Sequence, residues 1–119
     1  MQTILFIINA PAYGSERMAS ALRMASALAG QENETVDLRL FMISDAVTVA
    51  LPNQAGLDNS GGMQSMIEFL VQHGAQIRVC RTCIQARGLT SLELIPGVTA
   101  GTMPELAEWT LAADKVISF

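Results

Sequence analysis

The sequence predicts a single α/β domain with a five-stranded, mostly parallel sheet and helices on both faces, as in flavodoxin-like proteins. Short apolar runs suited to buried strands recur along the chain, and segments with helical spacing lie between them. Strands that alternate with helices favour a parallel sheet. The 119 residues suit one compact domain, 1–119, and no linker or repeat divides them.

The strands are predicted from short apolar segments. Residues 3–8 form a continuous apolar run with β-branched side chains, which is typical of a central parallel strand. In residues 36–42 apolar and polar side chains alternate, which predicts a strand nearer the edge of the sheet. Three further strands are predicted at residues 76–80, 98–101 and 115–119.

The helices are predicted from apolar spacing and from capping residues. Ser15 is the expected N-cap of a first helix that ends near Gly30. A second helix is expected to run from Met63 to just before Gly74, and a single helical turn follows the third strand. Thr102 and Glu105 have the spacing of a capping box, which predicts the start of the last helix.

The connection between the second strand and the second helix is the longest irregular part of the chain. Ser44 is expected to cap a short helical turn that ends before Pro52. Residues 53–62 are rich in Gly and Asn, which predicts a loop. Such a loop is either a lid over a site or a solvent-exposed connector, and the sequence favours neither.

Composition limits the possible environments and partners. Half of the residues are hydrophobic and only 15% are charged, so we expect apolar surface to be covered by other subunits in a homo-oligomer. The net charge of −4 argues against nucleic-acid binding. Neither a membrane-spanning run nor a signal peptide is predicted, which favours the cytoplasm, where thiols stay reduced.

The chemistry-bearing residues cluster after the third strand. Cys80 ends that strand and Cys83 follows it, so both lie at the carboxyl edge of the sheet, where open α/β sheets bind ligands. Arg81 and Arg87 are close in sequence. A neighbouring guanidinium promotes ionisation of a thiol. The segment therefore predicts an exposed, activated Cys80.

Four interpretations of the two cysteines compete, and the sequence disfavours one of them, a zinc site. Their spacing permits a thioredoxin-like dithiol. A structural zinc site needs four ligands, more than one chain supplies here, so we expect neither a metal nor a cofactor. A nucleophilic thiolate that accepts and passes on a sulfur atom needs one activated cysteine, and Cys80 has the position for it. Alternatively, both cysteines are small buried hydrophobic residues.

Other candidate site residues each have a structural alternative. Arg81 and Arg87 are candidates for binding an anionic substrate, although most arginines form surface charges or ion pairs. Asp45 follows a strand end and is a candidate for the same crevice, or for an ion pair. Tyr13 lies in the first strand-to-helix loop, where it either lines the pocket or packs on a subunit. Trp109 is expected in the core or an interface.

Five segments together resemble the DsrE/DsrF-like family, and most closely its YchN-like subgroup. They are residues 9–16, 37–41, 44–48, 80–88 and 106–119. The resemblance extends over nearly the whole chain. It implies a five-stranded parallel sheet, a homo-oligomer that is often a hexamer of two trimers, and a function in sulfur handling.

The resemblance also implies roles for individual residues. In sulfur-relay relatives a cysteine at the position of Cys80 carries a persulfide, and Arg87-Gly88 matches the Arg-Gly that follows it. Cys83 has no counterpart in several of those relatives. The leading hypothesis is a sulfur carrier or sulfurtransferase-like protein with a donor or acceptor protein as partner. The alternatives are an oligomeric ligand-binding or redox-sensing protein and a dithiol reductase.

Overall fold

A computed structural model of the chain describes residues 1–32, 35–57 and 62–119. Its strands are β1 (Gln2–Ile8), β2 (Val36–Met42), β3 (Gln76–Cys80), β4 (Val98–Gly101) and β5 (Lys115–Ser118). Its α-helices are α1 (Arg17–Ala29), α2 (Gln64–Gln72), α3 (Arg81–Ala86) and α4 (Met103–Ala112), and a 3₁₀ helix covers Ser44–Ala50. No helix in these segments has the length and apolar character required to cross a bilayer.

The described strands form one sheet in the order β4-β3-β2-β1-β5, and every neighbouring pair is parallel. The chain advances from β1 to β4 and then returns to β5 beside β1. Right-handed connections therefore put α4 on the face opposite α1 and α2. The predicted α/β class is confirmed, although this order differs from the 2-1-3-4-5 order of flavodoxin.

The predicted edge position of the second strand is wrong, because β2 lies in the middle of the sheet. Its polar side chains are satisfied inside the protein. The Asp37 carboxylate accepts hydrogen bonds from the Arg39 guanidinium at 2.8 Å and from the Thr3 hydroxyl at 3.2 Å. A central strand therefore tolerates an alternating pattern when its polar residues pair with each other and with a neighbouring strand.

The core fills the space between the sheet and the helices on both faces. Its largest fully buried side chains include Phe6, Phe41, Leu5, Ile8, Met18, Leu22, Leu40, Met42, Ile67 and Leu70. The apolar stripes predicted for the first two helices contribute Met18 and Leu22 from α1 and Ile67 and Leu70 from α2.

One of the three predicted helix N-caps forms. The Thr102 hydroxyl accepts a hydrogen bond from the Glu105 N–H at 3.4 Å and donates one to the Glu105 carboxylate at 3.0 Å. Ser15 does not cap α1, because Glu16 occupies the N-cap position. The Ser15 hydroxyl instead accepts from the Arg17 N–H at 3.3 Å, a local turn bond that competes with capping. Ser44 does not cap the 3₁₀ helix, because it is the first residue of that helix and Ile43 occupies the N-cap position.

The loop predicted at residues 53–62 lies partly outside the described residues, since 58–61 are not among them. Its first part is fastened to the neighbouring helices. The Gln54 amide donates to the Thr48 carbonyl at 2.7 Å, and the Asn53 N–H donates to the Gln64 side-chain oxygen at 2.6 Å. These bonds hold the beginning of the loop against the 3₁₀ helix and α2.

Gly97 occupies a turn that no larger residue fits. Its φ is +93°, and an added Cβ would lie 2.5 Å from a methyl carbon of Val71. We expect Gly97→Ala to lower the free energy of unfolding by about 2–4 kcal/mol, through backbone strain and overpacking together. Gly74→Ala is the matched control, because Gly74 has φ +86° and open space around it. Equal losses in urea unfolding would contradict the overlap with Val71.

Candidate functional site

The site lies where β3 passes directly into α3. Cys80 is both the last residue of β3 and the N-cap of α3, with an extended backbone at φ −60° and ψ 121°. It pairs with Gly101 of β4 across the sheet. The predicted location of this thiol, at the carboxyl edge of the sheet, matches the structure.

The expected exposure of Cys80 is wrong. Cys80 is 1% exposed and belongs to the hydrophobic core, whereas Cys83 is half-buried. The physical reason is that α3 begins at the very next residue. Its first turn covers the end of the strand, so the Cys80 sulfur is enclosed instead of open at a rim.

The Cys80 sulfur is nevertheless in a polar environment. Its Sγ lies 3.2 Å from the Thr82 hydroxyl oxygen. Burial raises the pKa of the Cys80 thiol, but hydrogen bonds from the side chains and the backbone N–H groups of Thr82 and Cys83 outweigh this effect. The pKa therefore lies below its ordinary value, which favours the nucleophilic thiolate.

Cys83 has the opposite tendency. Burial and the adjacent Cys80 sulfur raise the pKa of the Cys83 thiol, although the Ser44 N–H and the Arg87 guanidinium act against them. The Ser44 N–H donates to Cys83 Sγ at 3.2 Å. Ser44 has φ +55°, a left-handed conformation that is uncommon for a residue with a side chain. The site thus contains two interacting thiols with pKa values moved in opposite directions.

Arg87 and Asp45 form an ion pair beside Cys83. The Arg87 guanidinium donates to Asp45 Oδ1 from Nε at 2.9 Å and from Nη2 at 2.8 Å, and to the Cys83 carbonyl at 3.1 Å. Arg87 and Asp45 therefore form the ion pair that was the structural alternative for each of them. Because the Asp45 side chain is 61% exposed, the pair adds little stability, but it joins the 3₁₀ helix to α3.

Among the described residues, neither the Arg81 nor the Tyr13 side chain forms a hydrogen bond with a cysteine. Arg81 is exposed and lines a groove of ≈ 190 Å³ with Ile84 and Leu89. The Tyr13 hydroxyl lies against Gly62, since a Cβ added there would be 2.3 Å from it. Within the described part of the chain, neither side chain contributes to the lowered pKa of Cys80.

Other possible sites in the described residues lie away from the cysteines. A depression of ≈ 590 Å³ is lined by Met1, Gln2, Thr35 and Asp114, at the opposite edge of the sheet. No group of three His, Cys, Asp or Glu residues in the described segments has the arrangement to hold a metal ion.

Comparison with known proteins decides the family. A model of the DsrE/DsrF-like family matches residues 2–119. The chain belongs to this family. The resemblance inferred from the five sequence segments is therefore confirmed, and the match covers both cysteines and all the other candidate residues.

Individual relatives in the DsrE/DsrF-like family support the same assignment. The chain is 45% identical to Protein YchN of Escherichia coli over 100% of both chains, and the YchN crystal structure superposes with a TM-score of 0.93. It is 27% identical to Sulfurtransferase TusD of Salmonella arizonae, over 95% of this chain and 96% of TusD. A protein of unknown function, MTH1491 from Methanobacterium thermoautotrophicum, shares the fold at 15% identity, full coverage and a TM-score of 0.78.

Sequence reasoning missed two groups that contact the thiols. Thr82 was not among the predicted site residues, although its position two residues after Cys80 was a usable signal. A hydroxyl at that spacing reaches back to an N-cap side chain in the first turn of a helix. Ser44 offered no such signal, because it contributes its backbone N–H from a distant element.

Proposed function

We propose that this DsrE/DsrF-like protein is a sulfur carrier that holds a transferable sulfur atom as a persulfide on Cys80. The observation that carries the proposal is the position of the Cys80 thiol at the carboxyl edge of the sheet, where its sulfur lies 3.2 Å from the Thr82 hydroxyl oxygen. The similarity to Sulfurtransferase TusD supports the same class of chemistry. Nucleophilic sulfur chemistry requires a thiolate, and Cys80 has the environment that forms one.

The proposed reaction needs no oxidant or reductant. The Cys80 thiolate attacks the terminal sulfur of a donor persulfide, a new S–S bond forms, and the donor leaves as a thiolate that takes up a proton. An acceptor thiolate then attacks the terminal sulfur on Cys80 and releases the Cys80 thiolate again. The partners are therefore a persulfide donor and a thiol acceptor, expected to be proteins.

The burial of Cys80 adds a requirement to this mechanism. Cys80 is 1% exposed, so its sulfur cannot meet a partner's sulfur until neighbouring side chains move. The first turn of α3 follows Cys80 directly and includes Thr82, which contacts its sulfur, so access requires a movement of side chains in this turn. Burial also protects a bound persulfide from adventitious thiols between loading and delivery.

The two arginines have revised roles in this proposal. Arg87 is held by Asp45 and acts on Cys83, so it positions α3 rather than the sulfur on Cys80. Arg81 is exposed at the start of α3, where it is available to an anionic group on a partner surface. Tyr13 has no role in the proposed reaction.

A second candidate function follows from the spacing of the two thiols. Cys80 and Cys83 lie three residues apart at the start of α3, and each affects the pKa of the other. A thiolate beside a protonated thiol is also the arrangement of a dithiol reductase. In that case Cys80 would attack a substrate disulfide and Cys83 would resolve the mixed disulfide.

Intact mass under non-reducing conditions separates these functions. The protein is incubated with a persulfide donor and its mass is compared with that of the untreated protein. The carrier proposal predicts a gain of one sulfur atom that a reductant removes. A loss of two hydrogen atoms would instead indicate a Cys80–Cys83 disulfide and the second function, and an unchanged mass would contradict both.

We further propose that the protein works as a homo-oligomer in the cytoplasm. Several apolar side chains are exposed in the isolated chain, among them Leu111 of α4 at 89% and Val116 of β5. Exposed apolar side chains in a chain with few charges are typical of subunit contacts. Light scattering is expected to give a mass that is a multiple of the 12.7 kDa of one chain, and a monomer would contradict this proposal.

A further inference from the structure

Thr82 has an unusual position relative to the buried sulfur. Its hydroxyl oxygen lies 3.2 Å from Cys80 Sγ, yet Thr82 itself is exposed. Cys80 is enclosed, so the side chain that touches its sulfur also reaches the solvent. Thr82 therefore stands at the boundary between the sulfur and bulk water.

The direction of the hydrogen bond depends on the state of the sulfur. Either atom can donate when Cys80 is a neutral thiol, but a thiolate has no proton, so only the Thr82 hydroxyl can then donate. A hydrogen bond to an ionised acceptor is stronger than one between neutral groups. The contact is therefore worth more in the thiolate state than in the thiol state.

We propose that Thr82 is a positioning residue for the Cys80 sulfur, donating a hydrogen bond to its anion and separating that anion from solvent. This proposal rests on the sulfur-carrier function, because a carrier needs a sulfur that is reactive and also protected from solvent. The methyl group of Thr82 supplies cover, and its hydroxyl supplies the donor. Rotation of this one side chain about χ1 is the movement that would uncover the sulfur.

Other charged or titratable groups around the site are the same in every Thr82 variant. On β3, the 3₁₀ helix, α3 with its C-cap, and α4, they are Arg78, Asp45, Arg81, Cys83, Arg87, Glu105 and Glu108. Arg87 pairs with Asp45, and Arg78 pairs with Glu105. Differences between Thr82 variants therefore report the Thr82 side chain alone.

The test measures alkylation of Cys80 by iodoacetamide as a function of pH. All proteins carry Cys83→Ser, so that Cys80 is the reacting thiol and a hydroxyl donor is kept at position 83. The midpoint of the profile reports the ionisation of Cys80, and the plateau at high pH reports access to its sulfur. Thr82→Val keeps the shape without the hydroxyl, and Thr82→Ser keeps the hydroxyl without the methyl group.

The two variants are expected to change different parts of the profile. Thr82→Val moves the midpoint to higher pH and slows alkylation at neutral pH about threefold to tenfold, because the anion loses a charge-assisted hydrogen bond. Thr82→Ser keeps the midpoint and raises the plateau, because the sulfur loses cover. A preserved midpoint in Thr82→Ser shows that the shift in Thr82→Val is not a general distortion of α3.

Each contrary result overturns one of the two roles proposed for Thr82. Equal midpoints in Thr82→Val and Thr82→Ser would overturn the hydrogen bond to the anion, and an unchanged plateau in Thr82→Ser would overturn the shielding. Alkylation does not require sulfur transfer, so the role of Thr82 and the sulfur-carrier function are tested separately. The sulfur-carrier function is contradicted if the parent chain shows the expected alkylation profile but gains no sulfur from a persulfide donor.

Discussion

Replacing Cys80 with serine is expected to reduce the sulfur accepted from a cysteine desulfurase by at least about hundredfold. The physical reason is that a serine hydroxyl is not ionised at neutral pH and cannot hold a persulfide. The measurement uses a desulfurase loaded from radiolabelled cysteine, and the label retained on this protein is counted after the two are separated under non-reducing conditions.

Cys83→Ser is the matched control for this loss. It removes the other sulfur of the site and leaves a hydroxyl that still donates a hydrogen bond toward Cys80. We expect this variant to keep most of the label, because Cys80 retains the Thr82 hydroxyl and both backbone N–H groups. Equal labelling of Cys80→Ser and the parent chain would contradict the carrier role of Cys80.

Replacing Trp109 with alanine is expected to lower the free energy of unfolding by about 3–5 kcal/mol. Trp109 is 6% exposed and packs edge-on against Phe41 with ring centroids 6.0 Å apart. The guanidinium groups of Arg78 and Arg39 lie 4.5 Å and 5.4 Å from its ring. Its removal leaves a cavity between α4 and the sheet and deprives both cations of their aromatic partner.

Urea unfolding at one protein concentration measures this effect, since subunit association would otherwise add to the apparent stability. Small domains are stable by only about 5–15 kcal/mol, so the substitution removes a large fraction of the total. Trp109→Phe is the control, because it keeps an aromatic ring for the stacked cations, and a smaller loss is expected. A loss below about 1 kcal/mol in Trp109→Ala would contradict its place in the core.

The strand-to-helix pattern was predictable because its signals are local. The apolar run before Cys80, the capping pair Thr102 and Glu105, and the glycines that end helices each act within a few residues. The central position of β2 was not predictable in this way. The partners of its polar side chains include Thr3 of β1, which no local pattern reveals.

The candidate site also combines features that local sequence predicts with features that depend on distant residues. The location of Cys80 at the end of a strand was predictable, but its burial depends on how closely α3 follows. The role of Arg87 depended on Asp45, 42 residues away in sequence, which captures the guanidinium that was expected to serve the thiolate. Interactions between distant segments therefore determined the surroundings of Cys83 and Arg87, whereas the groups that lower the pKa of Cys80 lie within three residues of it.

Locating the transferred sulfur tests the central claim most directly. After exposure to a persulfide donor, the free thiols and persulfides are trapped by alkylation and the chain is digested with trypsin. Cleavage after Arg78, Arg81 and Arg87 separates the two cysteines into peptides 79–81 and 82–87. The account predicts the additional sulfur on peptide 79–81, and its presence only on peptide 82–87 would show that Cys83 is the carrier instead.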